Sequence, residues 1–172
     1  TTSSDSTRKT RDLYIAFDMG KDAWQVACSD GGKTRREAKI VRTDVEKGKR
    51  DVLAEVEKAR KSFSLPDDSA VHAVYEAGRD GFWFARWLGA NGVNCIVIDP
   101  ASILVDRKAK QRKNDDIDAR ALLDLLVRHV TDDRKVSVVA VPQPHAEDAA
   151  ELGRLLHRLG RARRSLALRV QS

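Results

Sequence analysis

The apolar residues of this chain change period at one point and then alternate, and no other feature restricts its fold as much. Residues 13–41 hold three runs, LYIAFD (13–18), AWQVACS (23–29) and KTRREAKIV (33–41), joined by the glycine turns MGK and DGG. Short runs rich in β-formers and bounded by turn residues predict three strands of an antiparallel meander. From residue 44 the pattern turns helical. Val45, Val52, Val56, Ala59 and Phe63 approximate one stripe with a strongly charged reverse, and LPDD ends it. AVHAVYE (70–76) predicts a fourth strand, FWFARWLGA a helix stopped by NG, and VNCIVID (93–99) a fifth strand. A helix follows from about Asp115 through DIDARALLDLLVRHV. The order β-β-β-α-β-α-β-α predicts a mixed α/β sheet with flanking helices. A weak strand within KVSVVAV (135–141) and a long last helix from about His145 complete the chain.

At 172 residues the chain is long enough for one domain with an extension. We expect a polar, disordered tail over 1–11, a domain over 12–142 and a helical arm over 143–172. There are 32 Lys and Arg against 26 Asp and Glu, a net charge of +6 that favours polyanionic partners. Cys28 and Cys95 each sit inside an apolar run, which reads as burial in a reducing compartment rather than a disulfide or zinc site. No apolar run approaches the ~20 residues needed to span a bilayer. The first residues, TTSSDSTRKTRD, have no apolar signal core. The expectation is a soluble, cytoplasmic protein without a membrane partner.

Carboxylates occupy three positions where chemistry could use them. Asp18 ends the first strand, Glu76 ends the fourth, and Asp115 and Asp118 stand three apart at a helix start, on one face. Four carboxylates meeting at one sheet edge would repel unless hard cations lay between them. Mg²⁺, with Mn²⁺ as substitute, suits such oxygen ligands, and a pair of ions ~4 Å apart can stabilise the attacking and leaving oxygens of a phosphodiester displacement. Each acid also has a plain reading. Asp18 can be a turn residue and Glu76 the start of a loop. Asn114 can cap the helix, acids in the first turn suit its dipole, and Asp116 can pair with Arg120. Only the combined placement favours a site.

The basic run Arg107, Lys108, Lys110, Arg112 and Lys113 precedes the acidic helix. Beside a metal site it would neutralise phosphates, and elsewhere it would be a solvated loop. Trp83 and Trp87, one helical turn apart, read as core or interface rather than as a base-stacking platform. The four histidines have no ligand spacing, Ser102 has no triad pattern, and GGK at 31–33 is a turn rather than a phosphate loop. In the last helix Leu152, Leu159 and Leu166 fall at heptad spacing among six arginines. This suits a coiled coil, a nucleic-acid contact or packing on its own domain.

Taken together, AFDMGKDAWQVA, VYEAGRDGFWFARWL and KNDDIDARAL resemble the N-terminal domain of DEDD transposases of the insertion-sequence 110 family, which includes the Piv-type DNA invertases. The resemblance covers residues 12–130. It implies a ribonuclease H-like (RuvC-like) fold with a mixed five-stranded sheet, and a Mg²⁺ site made by Asp18, Glu76, Asp115 and Asp118. Lys21 and Lys113 fall on motif positions as nucleic-acid contacts. Met19-Gly20 replace Val-Ser of the family pattern, Gly78-Arg79-Asp80 replace Thr-Gly, Asp99 replaces Asn and Asn114 replaces Thr. Nothing after residue 145 resembles the family's second domain, which carries a serine nucleophile, so an N-terminal portion of such a protein is expected. The implied function is metal-dependent DNA strand cleavage and exchange at element ends and target DNA, with a guide RNA in many members. Homo-oligomerisation through the last helix is also expected. The alternatives are a stand-alone RuvC-like junction endonuclease and a non-catalytic nucleic-acid-binding or dimerisation module.

Overall fold

The computed structural model describes residues 11–41, 44–78, 81–99, 115–132 and 136–170, with 115–118, 150–151 and 166–170 described by backbone alone. The chain divides into two compact units, Thr1–Val139 and Ala140–Ser172.

The first unit is built on one sheet. Strands β1 (Leu13–Met19), β2 (Ala23–Ser29) and β3 (Arg36–Val41) form the expected antiparallel meander. Helix α1 (Val45–Ser62) leads to β4 (Val71–Glu76), which lies parallel to β1. Helix α2 (Trp83–Ala90) leads to β5 (Asn94–Ile98), parallel to β4. Helix α3 (Asp115–Thr131) precedes β6 (Val138–Val139), antiparallel to β5. The sheet has six strands in the order β3-β2-β1-β4-β5-β6, not the five expected. The sixth pairs only Val138 with Ile98 and Val139 with Val97. It lies within KVSVVAV, where a weak strand was expected but not as part of the sheet, and its place there depends on β5 offering an open edge.

Alternation along the strands assigns each face of the sheet to different helices. Leu13, Ile15 and Phe17 of β1, with Trp24, Val26 and Cys28 of β2, pack against Val52, Val56 and Ala59 of α1 and Phe84, Ala85 and Leu88 of α2. Phe84 is fully buried, with its ring 5.0 Å from those of both Phe17 and Trp24. Trp83 and Trp87 pack at the border of this core, as their spacing suggested. The opposite residues, Tyr14, Ala16, Ala27, Val74 and Ile98, pack against Ala119, Leu122, Leu123 and Leu126 of α3. Burying this continuous apolar stripe, at about 1.5–3 kcal/mol per large side chain, fixes α3 to the sheet.

Side-chain hydrogen bonds fix the borders. Asp44 caps α1 by accepting from the Lys47 N–H at 2.7 Å. Arg36 of the edge strand donates to the buried Glu55 of α1 at 2.7 Å. Cys28 is buried and Cys95 half-buried, and both are free thiols. The second unit contains α4 (Pro144–Val170), which exposes Leu152, Leu155, Leu156 and Leu159. Among the described residues, no helix is long and apolar enough to cross a membrane.

Candidate active site

Asp18 and Glu76 stand at the same end of neighbouring parallel strands. Phe17 of β1 is in register with Tyr75 of β4, and each acid is the next residue along. Both continue the alternation of Tyr14, Ala16 and Val74, so both belong to the face that α3 covers. Asp18 is half-buried and Glu76 exposed, and both take part in polar or electrostatic interactions.

The direction of α3 follows from two ion pairs. Asp124 accepts from Arg35, which precedes β3, at 2.9 Å. Nearer the helix start, Arg120 donates to Glu37. Glu37 lies opposite Ala27, and Ala27 opposite Ala16. Going from Asp124 to Arg120 therefore advances toward the end of the sheet where Asp18 lies. From Arg120 back to the first helical residue, Asp115, the axis rises ~7.5 Å. The two residues from Ala16 to Asp18 span ~6.6 Å of strand. Helix α3 thus begins near the level of Asp18, so its positive dipole end lies toward the same end of the sheet as the acids. Positions 115 and 118 lie on the helical stripe that continues through Ala119, Leu122 and Leu126.

Some of the predicted residues lie outside the described part of the structure. The side chains of Asp115 and Asp118 are outside it, and so are Arg107, Lys108, Lys110, Arg112, Lys113 and the capping residue Asn114. Among the described residues, no group of three or more His, Cys, Asp or Glu is placed to hold a metal ion. Asp18 and Glu76 supply two hard oxygen donors at one edge, the ligand chemistry that Mg²⁺ requires, and the other two expected acids, Asp115 and Asp118, belong to the start of α3. Arg120 reaches Glu37 on β3 and has a further interaction of its own, while the side chain of Asp116, its expected partner, lies outside the described residues.

The β1–β2 turn carries Lys21, which is exposed and has an interaction of its own. Gly20 makes this turn possible. Its N–H donates to the Asp18 carbonyl at 3.3 Å, and a Cβ there would lie 2.5 Å from the Ala23 carbonyl oxygen. Two polar residues on the same face as the acids went unnoticed in the sequence. Gln25 lies opposite Asp18, and Lys39 lies opposite Gln25. Only the strand register relates them to Asp18, and register is set by pairing across the sheet.

No protein-family model matches the chain. It is 30% identical over 145 residues to a protein of Sinorhizobium fredii named as a transposase, an alignment covering 83% of this chain and 36% of that protein. It is also 30% identical over 95 residues to the transposase for an insertion sequence element of Leptospira borgpetersenii, covering 54% of this chain and 25% of that protein. The chain therefore spans between a quarter and two-fifths of the length of these relatives.

Proposed function

We propose that this chain is the N-terminal, metal-dependent catalytic portion of an insertion-sequence transposase, with a ribonuclease H-like (RuvC-like) fold and a DEDD site. The observation that carries this reading is the juxtaposition of Asp18 and Glu76 at adjacent ends of parallel strands, at the level where the helix bearing Asp115 and Asp118 begins. The similarity to a named transposase over 83% of the chain supports it independently.

In this reading Asp18, Glu76, Asp115 and Asp118 hold Mg²⁺ or Mn²⁺ between strand ends and helix start. Bound there, the ions would supply Lewis-acid stabilisation of charge on a scissile phosphate. The chain's own contribution is positional. Two parallel strands present carboxylates side by side, and the amino end of α3 adds a dipole that favours phosphate. Lys21 and the basic run 107–113 would neutralise neighbouring phosphates. The substrates are element ends and target DNA. A structured guide RNA and self-association through α4 belong to the same reading.

The test is calorimetric titration with Mn²⁺ of the wild type and the Asp18→Asn, Glu76→Gln, Asp118→Asn and Asp116→Asn variants, each shown to melt cooperatively. The first three should lose at least tenfold in affinity and Asp116→Asn should retain it. Wild-type affinity in both Asp18→Asn and Asp118→Asn would overturn the assignment.

A further inference from the structure

The acids are the first members of a longer row. The strand register runs from Glu76 on β4 through Asp18 on β1 and Gln25 on β2 to Lys39 on edge strand β3. All four belong to the face that carries α3, and the row changes along its length from carboxylate to amide to ammonium. Beyond α3 the sheet opens into a shallow groove lined by Gln25, Ala27, Glu37, Lys39 and Ala119. Ala119 is in the first turns of α3, so the groove starts beside the proposed site and runs out to the sheet edge.

The charged neighbours of this groove are already engaged. Arg120 pairs with Glu37, Arg35 with Asp124 and Arg36 with Glu55. Lys39 is exposed, and among the described residues neither it nor the side chain of Gln25 makes a hydrogen bond or ion pair. Lys39 is two strand spacings, ~10 Å, from Asp18. Its place on the edge strand offsets it from the acids, toward the phosphates that flank the one they would hold.

We infer that Lys39 and Gln25 form a backbone-phosphate subsite that leads DNA from the sheet edge to the acid pair. The ammonium neutralises a phosphate flanking the scissile one, and the Gln25 amide N–H donates to the strand between them. Both are positioning residues, and their role rests on the transposase reading above.

The test is the salt dependence of binding to a fluorescently labelled DNA duplex, followed by anisotropy with Ca²⁺ in place of Mg²⁺. Lys39→Gln should reduce the slope of log Kd against log salt by about one, Lys39→Arg should keep it, and Lys39→Glu should weaken binding further, at unchanged melting temperature. Gln25→Ala should weaken binding without changing the slope. Salt-dependent binding by the wild type with the same slope in Lys39→Gln overturns this subsite alone. A wild type that shows no salt-dependent DNA binding overturns both the subsite and the reading on which it rests.

Discussion

A Cβ added to Gly20 would stand 2.5 Å from the Ala23 carbonyl oxygen, so the turn after Asp18 must open to admit any other residue. Gly20→Ala should cost about 1–3 kcal/mol in urea denaturation, the usual penalty of forcing an extra carbon into a filled space. It should also weaken Mn²⁺ binding, since the same turn holds Asp18. The two thiols make a prediction in pH. Burial pushes Cys28 up to about 12, with the Glu55 carboxylate adding to the effect and Arg36 opposing it, and burial alone pushes Cys95 to about 12. The unfolded chain loses these protons near pH 9, whereas the folded chain retains them. Their contribution is therefore complete below pH 9 and is lost as pH rises toward about 12. Urea midpoints between pH 8 and pH 11 should fall more steeply for the wild type than for a Cys28→Ala, Cys95→Ala variant. Alkylation of the buried Cys28 at neutral pH should require unfolding.

At the scale of elements, α3 and α4 are both leucine-rich helices, yet they should answer truncation differently. Leu122, Leu123 and Leu126 are essentially inaccessible, at 2%, 0% and 1% exposure, whereas Leu156 of α4 is 61% exposed. Leu122→Ala or Leu126→Ala should cost about 2–5 kcal/mol, cavity included. Leu156→Ala should stay within about 0.5 kcal/mol, as is usual for surface positions. Equal losses at the two sites would show that α4 is covered in solution. The link between β3 and α1 is a mixed case, because Glu55 is buried while Arg36 keeps a third of its side chain exposed. Arg36→Met strands a buried carboxylate that water can only partly reach, so a loss of about 1–3 kcal/mol is expected. Glu55→Gln in the Arg36→Met background should recover part of that loss, and a double-mutant cycle would measure how much.

For the whole molecule, the break between units falls between Val139 and Ala140, and Ala140, Val141 and Gln143 are exposed. Limited proteolysis should therefore cut near residues 140–143 first, leaving a sheet-bearing fragment identifiable by mass. Early cleavage inside β1 or β4 instead would contradict the division. Much of this architecture was legible beforehand. Short apolar runs bounded by turn residues gave five strands nearly to their ends, and the stripe Val52, Val56, Ala59 gave α1, because burial leaves its mark on the residues. The acids at the ends of β1 and β4 were legible for the same reason, since a polar residue closing an apolar run marks where a strand leaves the core. A weak strand was legible in KVSVVAV, but its place as a sixth member of the sheet was not, because that depends on pairing with β5. Nor was the row Asp18, Gln25, Lys39, whose members are separated in sequence by whole strands and meet only through hydrogen-bond register. By itself, then, the sequence determined which segments are strands and helices and which of their ends carry charge. Only the tertiary structure decided which ends are neighbours and which face they share, because pairing and packing act between residues distant along the chain.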